Sequence, residues 1–180
     1  MQRILFIAIP LLLLFSCYTR YSNNEFNDDF DINDSTNTVA VLNFEYSGSF
    51  ISSKHSKLIA DLVTSELFIE KKINVIDRSL VKNVLKKYDN AKTGRFSREE
   101  IQNIGTELKA THIALGNLNS IDSIEEFYET GLRSIDISMR ILDSETGDVV
   151  GILRQQQQGK VNIEELIKIA VREMLKFINR

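Results

Sequence analysis

The sequence predicts an α/β (α+β) fold, in which helices pack on a mixed β-sheet in the order β-α-β-α-α-β-β-β-α. Two observations carry this prediction. A buried strand, an amphipathic helix and a short second strand follow one another over residues 38–77, which is typical of a βαβ unit with parallel strands. Strict alternation of apolar and polar residues then begins at Ser134 and continues into a turn and another strand, which indicates an antiparallel hairpin.

The first half of the domain starts at Thr38 with a nearly continuous apolar run, Val39–Leu42, as in a strand that is covered on both faces. Apolar residues at helical spacing predict the next element, an amphipathic helix over residues 53–71. A short strand follows over residues 73–77. Two further helices, each opened by a serine cap, are predicted at residues 79–88 and 97–108.

The second half begins with a third strand over residues 111–117, whereas residues 118–132 are ambiguous and fit strand ends around a loop. The alternation from Ser134 predicts a half-exposed strand, because its apolar and polar residues fall on opposite faces. Its partner strand is predicted over residues 148–158, with a polar end at Gln155–Gln158. A last amphipathic helix is capped by Asn162.

The N-terminus predicts export and lipid attachment. Residues 1–16 combine a positive charge with a short apolar run, which is typical of a signal peptide and too short to span a bilayer. The run ends in Leu14, Phe15 and Ser16 before Cys17, which resembles a bacterial lipobox. Cys17 would then receive a diacylglyceryl group and its new amine an acyl chain such as palmitate. The alternative is an ordinary signal peptide, which would leave an unpaired thiol in an oxidising compartment.

Composition divides the remaining chain into two parts. Residues 17–37 are rich in Asn, Asp and Ser, which predicts a lipidated cysteine followed by a flexible acidic tether. Residues 38–180 form the predicted domain, which is long enough to enclose one core. The net charge of −3 does not favour nucleic acid as a partner. Because Cys17 is the only cysteine, the chain has no disulfide framework.

The sequence predicts no catalytic, cofactor-binding or metal site, and therefore no enzyme. The two histidines, His55 and His112, fall in different elements without metal-ligand spacing. No phosphate-binding glycine motif and no nucleophile elbow is present. The pairs Glu99-Glu100 and Glu125-Glu126 are interpreted as solvated faces, because neighbouring side chains point apart. Asp77-Arg78 is interpreted as a structural ion pair at a strand end.

Four segments together resemble a group of envelope lipoproteins that includes the curli secretion channel lipoprotein CsgG, the penicillin-binding-protein activator LpoB and the flagellar lipoprotein FlgO. Their order and content match that group's apolar strand, VxxR strand end, helix–strand junction and late hairpin. The segments are Val39–Phe44, Ile73–Ser79, Ile104–Gly116 and Ile137–Gly147. The segment between Asn117 and Ser134 is short and acidic, so the resemblance implies the periplasmic scaffold of the group rather than its pore.

The resemblance implies a membrane-anchored, non-enzymatic periplasmic adaptor or assembly factor. Its expected partners are the membrane, through the lipid on Cys17, and an envelope protein such as a peptidoglycan synthase, a secretion component or a flagellar component. The alternative is an oligomeric export channel component of the curli type, built from copies of this chain. Tyr18 follows the lipidated cysteine where an aspartate would be expected for inner-membrane retention, which favours the outer membrane facing the periplasm.

Overall fold

The computed structural model describes residues 20–26, 35–88 and 95–179. The strands of this part of the chain are β1 (Arg20–Phe26), β2 (Thr38–Val41), β3 (Glu45–Ser47), β4 (Asn74–Val75), β5 (His112–Ser120), β6 (Arg133–Asp143) and β7 (Val149–Gly159). Its helices are α1 (Ser53–Ile69), α2 (Arg78–Leu85), α3 (Arg98–Leu108), α4 (Ile124–Thr130) and α5 (Ile163–Leu175), followed by a 3-10 turn at Lys176–Asn179.

The strands form one mixed sheet, which confirms the predicted fold class. Its order is β1-β7-β6-β5-β2-β4, and β3 also pairs with β5. β2 runs parallel to β4 and β5, as the βαβ pattern predicts. β5, β6 and β7 pair antiparallel in sequence order, as the alternation and the turn predict. Apart from β1, the parallel half of the sheet therefore comes from the earlier strands and the antiparallel half from the later ones.

Helices cover the two faces of the sheet unequally. On the first face, α1 and α5 bury a large cluster against both halves of the sheet, from Val39 on β2 to Leu153 on β7. On the second face, α2 and α3 bury a smaller cluster whose sheet residues lie mainly on β2 and β5, with Leu142 at the end of β6. The second face over β6, β7 and β1 therefore lies outside this cluster.

The prediction of a flexible tether is wrong for residues 20–26, because they form β1. This strand pairs antiparallel with β7 along its whole length, from Arg20 opposite Gln157 to Phe26 opposite Gly151. Main-chain hydrogen bonds require no particular side chains, so a polar segment can still extend a sheet edge. Phe26 also packs against the first-face cluster. Of the other predicted tether residues, 35–37 form a turn and its end before β2, where Asn74 donates a hydrogen bond to the carbonyl oxygen of Ser35, and 17–19 and 27–34 lie outside the described residues.

Residues 118–132 agree with the predicted strand ends around a loop at Leu118–Ser120, but the loop itself contains a helix. β5 continues to Ser120, and the segment before β6 contains the short helix α4. Ser123 caps this helix by accepting a hydrogen bond from the backbone N–H of Glu126. Gly131 ends it in the left-handed region with φ 67°, where glycine has no Cβ strain. The sequence signal was weak because α4 buries no residue and so shows no clear apolar stripe.

Candidate partner-binding surface

The uncovered part of the second sheet face is a polar surface that extends over four strands. Residues directly opposite one another in antiparallel strands lie on the same face, so the pairings place side chains from four strands together. We call this surface the open face. Its described side chains are Asn23, Glu25, Asn117, Asn119, Ser134, Asp136, Ser138, Arg140, Ile152, Arg154, Gln156 and Gln158.

The alternation on β7 shows how the open face arises. The even-numbered residues from Ile152 to Gln158 are exposed or half-buried, whereas Leu153, Gln155 and Gln157 are buried on the first face. The predicted polar strand end is therefore continuous strand, with two of its four glutamines inside the protein. On β6, the predicted division of apolar and polar residues between two faces is confirmed.

An ion pair fixes the centre of the open face. Arg154 on β7 donates two hydrogen bonds to Asp136 on β6, from Nε at 3.0 Å and from Nη2 at 2.6 Å. The Asp136 side chain is 12% exposed and that of Arg154 is 46% exposed. The paired geometry restricts the guanidinium to one orientation, while much of its surface still faces solvent. A partner would therefore meet a preorganised cationic group.

One end of the open face combines a cationic residue, Arg140, with an apolar residue, Ile152. They lie directly opposite one another on β6 and β7, and both side chains are exposed. Ile152 is 41% exposed and is the only large apolar residue among the described open-face side chains. Arginine is enriched at protein interfaces, and Ile152 beside it offers accessible apolar area. This end is the best candidate for the centre of a partner contact.

A second exposed surface is the insertion between β5 and β6, residues 121–132. Its base is an aromatic cluster, in which the rings of Phe50 and Phe127 meet edge to face at 5.2 Å. The guanidinium of Arg133 lies 4.7 Å from the centroid of Phe127 and 5.8 Å from that of Phe50. Asp122 is buried and accepts a hydrogen bond from the backbone N–H of Ser134. These contacts hold a helix that buries no side chain of its own.

His55 takes a structural position. It is 8% exposed, and its Nδ1 accepts a hydrogen bond from the backbone N–H of Ser52, which caps α1. Its Nε2 lies 3.6 Å from Oε1 of Glu164 on α5. The same Oε1 accepts a hydrogen bond from Lys54, which is the main cause that lowers the pKa of Glu164 to about 2. The cluster joins the first turns of α1 and α5.

His112 is also buried, at 7% exposed, at the beginning of β5. Its Nδ1 lies 2.9 Å from Oγ1 of Thr111. Burial lowers the pKa of His112, and the negative charge of Asp143 opposes part of this shift. Neither histidine is part of a group of three or more His, Cys, Asp or Glu side chains that could hold a metal within residues 20–26, 35–88 and 95–179.

Replacing His112 with glutamine is expected to reduce the loss of stability on acidification. Since the pKa of His112 is lowered in the folded state, the unfolded chain binds a proton first as the pH falls through about 6.5. The wild type therefore loses stability below that pH, until the lowered folded pKa is reached. The measurement is the urea unfolding midpoint of both proteins at pH 7.5 and 5.5. An equal drop in both proteins would contradict the prediction.

Asp77 and Arg78 do not pair with each other, so the interpretation of an ion pair between them is wrong. Asp77 caps α2 by accepting hydrogen bonds from Ser79, which lowers the pKa of Asp77. Arg78 instead reaches α1, where its Nε donates to Asp61 at 3.0 Å. Neighbouring residues at a helix start point in different directions, which explains why sequence adjacency gave the wrong partner.

The predicted lipidation site and lipobox, Cys17 with Leu14, Phe15 and Ser16, lie outside the described residues. The signal peptide over residues 1–16 also lies there and stays a prediction. Within the described segments, the helices are too short or too polar to cross a membrane.

A family profile described as "Peptidoglycan-synthase activator LpoB" matches residues 55–151. This match covers more than half of the 180 residues. It runs from the first turn of α1 to the first residues of β7, so it includes β4, β5 and β6 but neither β2 nor β3. The fold and the site thus define a mixed α/β scaffold with one open sheet face. The chain belongs to the LpoB family of peptidoglycan-synthase activators.

Solved structures share the fold at low identity. A PelC dodecamer from Paraburkholderia phytofirmans matches with TM-score 0.56 and 8% identity, covering 89% of this chain and 97% of that chain. Lipoprotein GNA1162 from Neisseria meningitidis matches with TM-score 0.54 and 10% identity, covering 79% and 98%. The LpoB C-terminal domain from Escherichia coli matches with TM-score 0.50 and 10% identity, covering 72% and 86%.

A search of curated proteins finds no significant match. The predicted resemblance to LpoB is confirmed by the family profile. The wider relation to the curli channel lipoprotein and to the flagellar lipoprotein stays a prediction.

Proposed function

We propose that this chain is a non-enzymatic, lipid-anchored activator that binds a peptidoglycan synthase in the cell envelope. The observation that carries the proposal is the family match over residues 55–151. An activator needs an accessible surface for its partner, and the open face is accessible on four strands of a rigid sheet. The catalytic work then belongs to the synthase, whose conformation the bound activator would shift.

We assign the partner contact to the Arg140 and Ile152 end of the open face. A few residues carry most of the energy of an interface, and arginine is enriched among them. Ile152 supplies apolar area, and Arg140 supplies donors that fit a carboxylate or a backbone carbonyl. The nearby Asp136–Arg154 pair holds a partly exposed guanidinium, which has further donors for a carboxylate or carbonyl oxygen of the partner.

The anchor in this proposal is the acylated Cys17, with the mature domain in the periplasm at the outer membrane. The sequence support is the lipobox Leu14-Phe15-Ser16 and the Tyr18 that follows the cysteine. Mass spectrometry of the protein from membranes is the direct measurement. A mature chain that begins at Cys17 and carries acyl chains is the expected result, and an unmodified cysteine would contradict this part of the proposal.

The test of the partner contact is the double variant Arg140→Glu with Ile152→Glu. Stimulation of glycan-strand synthesis is measured with each purified peptidoglycan synthase of the same bacterium. The concentration of activator needed for half-maximal stimulation of the responsive synthase is expected to rise by at least about thirtyfold in the variant, which corresponds to roughly 2 kcal/mol at a hot spot. Because the two new carboxylates lie opposite each other and Ile152 lies opposite Glu25, the thermal midpoint is expected to fall, so stimulation is measured well below the midpoint of the variant.

The matched control is Phe68→Glu with Ile69→Glu at the end of α1, where both side chains are also exposed. These changes add the same two acids at a site away from the open face. Full stimulation by this control, together with loss in the open-face variant, would support the assignment. Equal stimulation by both variants would overturn the open face as the contact. A purified domain that stimulates no synthase of its bacterium would overturn the function itself.

A second candidate is a self-assembling export component, which is the alternative that the sequence also favoured. One observation supports it, since a PelC structure with this fold is a dodecamer. Light scattering of the mature chain with and without detergent separates the two candidates. Closed rings would favour the export component, whereas a monomer in both conditions would favour the activator.

A further inference from the structure

We propose that the insertion between β5 and β6 rests on the phospholipid bilayer, with Ile121, Ile124 and Tyr128 in the headgroup region. The domain would then be held at a defined orientation, by its lipid at one point and by these side chains at another. This inference rests on the anchor at Cys17 in the proposed function. The position of the anchor identifies the bilayer as the partner of this surface, because Cys17 precedes the first residue of β1 by only three residues.

The connection between the anchor and the sheet is short. Cys17 is three residues before Arg20, the first residue of β1. A fully extended chain advances at most about 3.3–3.6 Å per residue, so the two Cα atoms lie within about 11 Å of each other. The polar interface of a bilayer is itself about 5–8 Å thick on each side. A lipid on Cys17 therefore keeps the Arg20 end of the sheet close to the membrane.

Strand register places the insertion at that same end. Arg20 pairs with Gln157, Gln157 with Ile135, and Ile135 with Ser120. These residues form one row across β1, β7, β6 and β5, and Ser120 lies roughly 14 Å from Arg20 at the usual strand spacing. Ser120 is the last residue of β5, so the insertion begins where this row ends. The anchor and the insertion therefore emerge from the same edge of the fold.

The insertion presents the side chains that an interface favours. Tyr128 is 81% exposed, Ile121 55% and Ile124 51%. Tyrosine suits this depth because its ring is apolar and its hydroxyl can stay hydrated. The aromatic cluster of Phe50, Phe127 and Arg133 gives these side chains a fixed base.

Charge defines the kind of bilayer. Glu125, Glu126 and Glu129 are exposed on α4 beside the apolar side chains. Carboxylates are repelled by anionic lipids and are costly to move into hydrocarbon. The contact is therefore shallow, and it is stronger on a zwitterionic surface such as phosphatidylcholine than on an anionic one.

A tryptophan reporter tests the contact, because the chain has no tryptophan. The mature chain from Cys17 is coupled through its only thiol to a maleimide phospholipid in phosphatidylcholine vesicles, some of which contain brominated chains. Tyr128→Trp is the probe. Phe68→Trp is the control, because Phe68 is 60% exposed but lies near the C-terminal end of α1. The start of α1 lies near the insertion, because β3 just before it ends at Ser47 opposite Asn119. The helix runs away from there, so its C-terminal end lies far from the insertion.

The expected result is a shift of Tyr128→Trp emission to shorter wavelength and loss of most of it to brominated lipid, with neither change for Phe68→Trp. Adding Ile121→Asp and Ile124→Asp to the probe should abolish both changes. Equal quenching at positions 128 and 68, or none at either, would overturn the proposal. Because coupling replaces cellular lipidation, this outcome is independent of the acylation of Cys17 and of synthase stimulation.

Discussion

Alanine in place of Gly116 is expected to destabilise the domain by about 3 kcal/mol or more, which is in the range of severe core overpacking. Gly116 lies on β5, opposite Met139 on β6. A Cβ at this position would overlap the carbonyl oxygen of Ser138 and would lie 2.7 Å from Cε1 of Phe44. β5 is paired on both sides, so neither strand can withdraw without breaking ladder hydrogen bonds. Urea unfolding at equilibrium is the measurement.

The matched control is Gly151→Ala on β7. Its Cβ would meet the ring of Phe26 at 2.7 Å, which is a side chain on an edge strand and can move aside. The control is therefore expected to cost at most about 1 kcal/mol, since only a rotamer has to change. Equal losses in the two variants would show that the backbone of β6 yields as easily as a phenylalanine ring, and would contradict the explanation.

The elements that bury an apolar face could be predicted from the sequence. The continuous apolar run Val39–Leu42 and the alternation from Ile135 to Ile141 are both local patterns that indicate burial directly. β1 has no such period, because its place is determined by main-chain hydrogen bonds to a strand that lies more than a hundred residues later. α4 was missed for a related reason, since an exposed helix leaves no apolar stripe.

The candidate surface was predictable only in part. The polar side of β6 was visible in the sequence, as Asp136, Ser138 and Arg140 alternate with apolar residues. The extent of the open face could not be predicted, because it depends on where α2 and α3 end along the sheet, which is a property of tertiary packing. The contribution of Ile152 and Arg154 follows from the hairpin register, and that register depends on the turn after Asp143.

Methionine in place of Arg78 is expected to destabilise the domain by about 2–3 kcal/mol, since it removes charge-assisted hydrogen bonds from a partly buried site. The Arg78 side chain is 11% exposed. Its guanidinium donates to the carbonyl oxygen of Val41, to Oδ1 of Asn43 at 2.8 Å and to Asp61 at 3.0 Å. One side chain thus joins the end of β2, the loop after it and the middle of α1. Urea unfolding is again the measurement.

Two further variants separate the contacts of Arg78. Arg78→Lys keeps the charge but lacks the planar set of donors, so it is expected to recover less than half of the lost stability. Asp61→Asn removes only the half-exposed carboxylate and should cost about 0.5 kcal/mol, in the range of surface ion pairs. Full recovery with lysine would mean that charge alone matters. If lysine recovers less than half of the stability, Arg78 of the VxxR segment has a structural role. Partner recognition then falls to residues outside that motif.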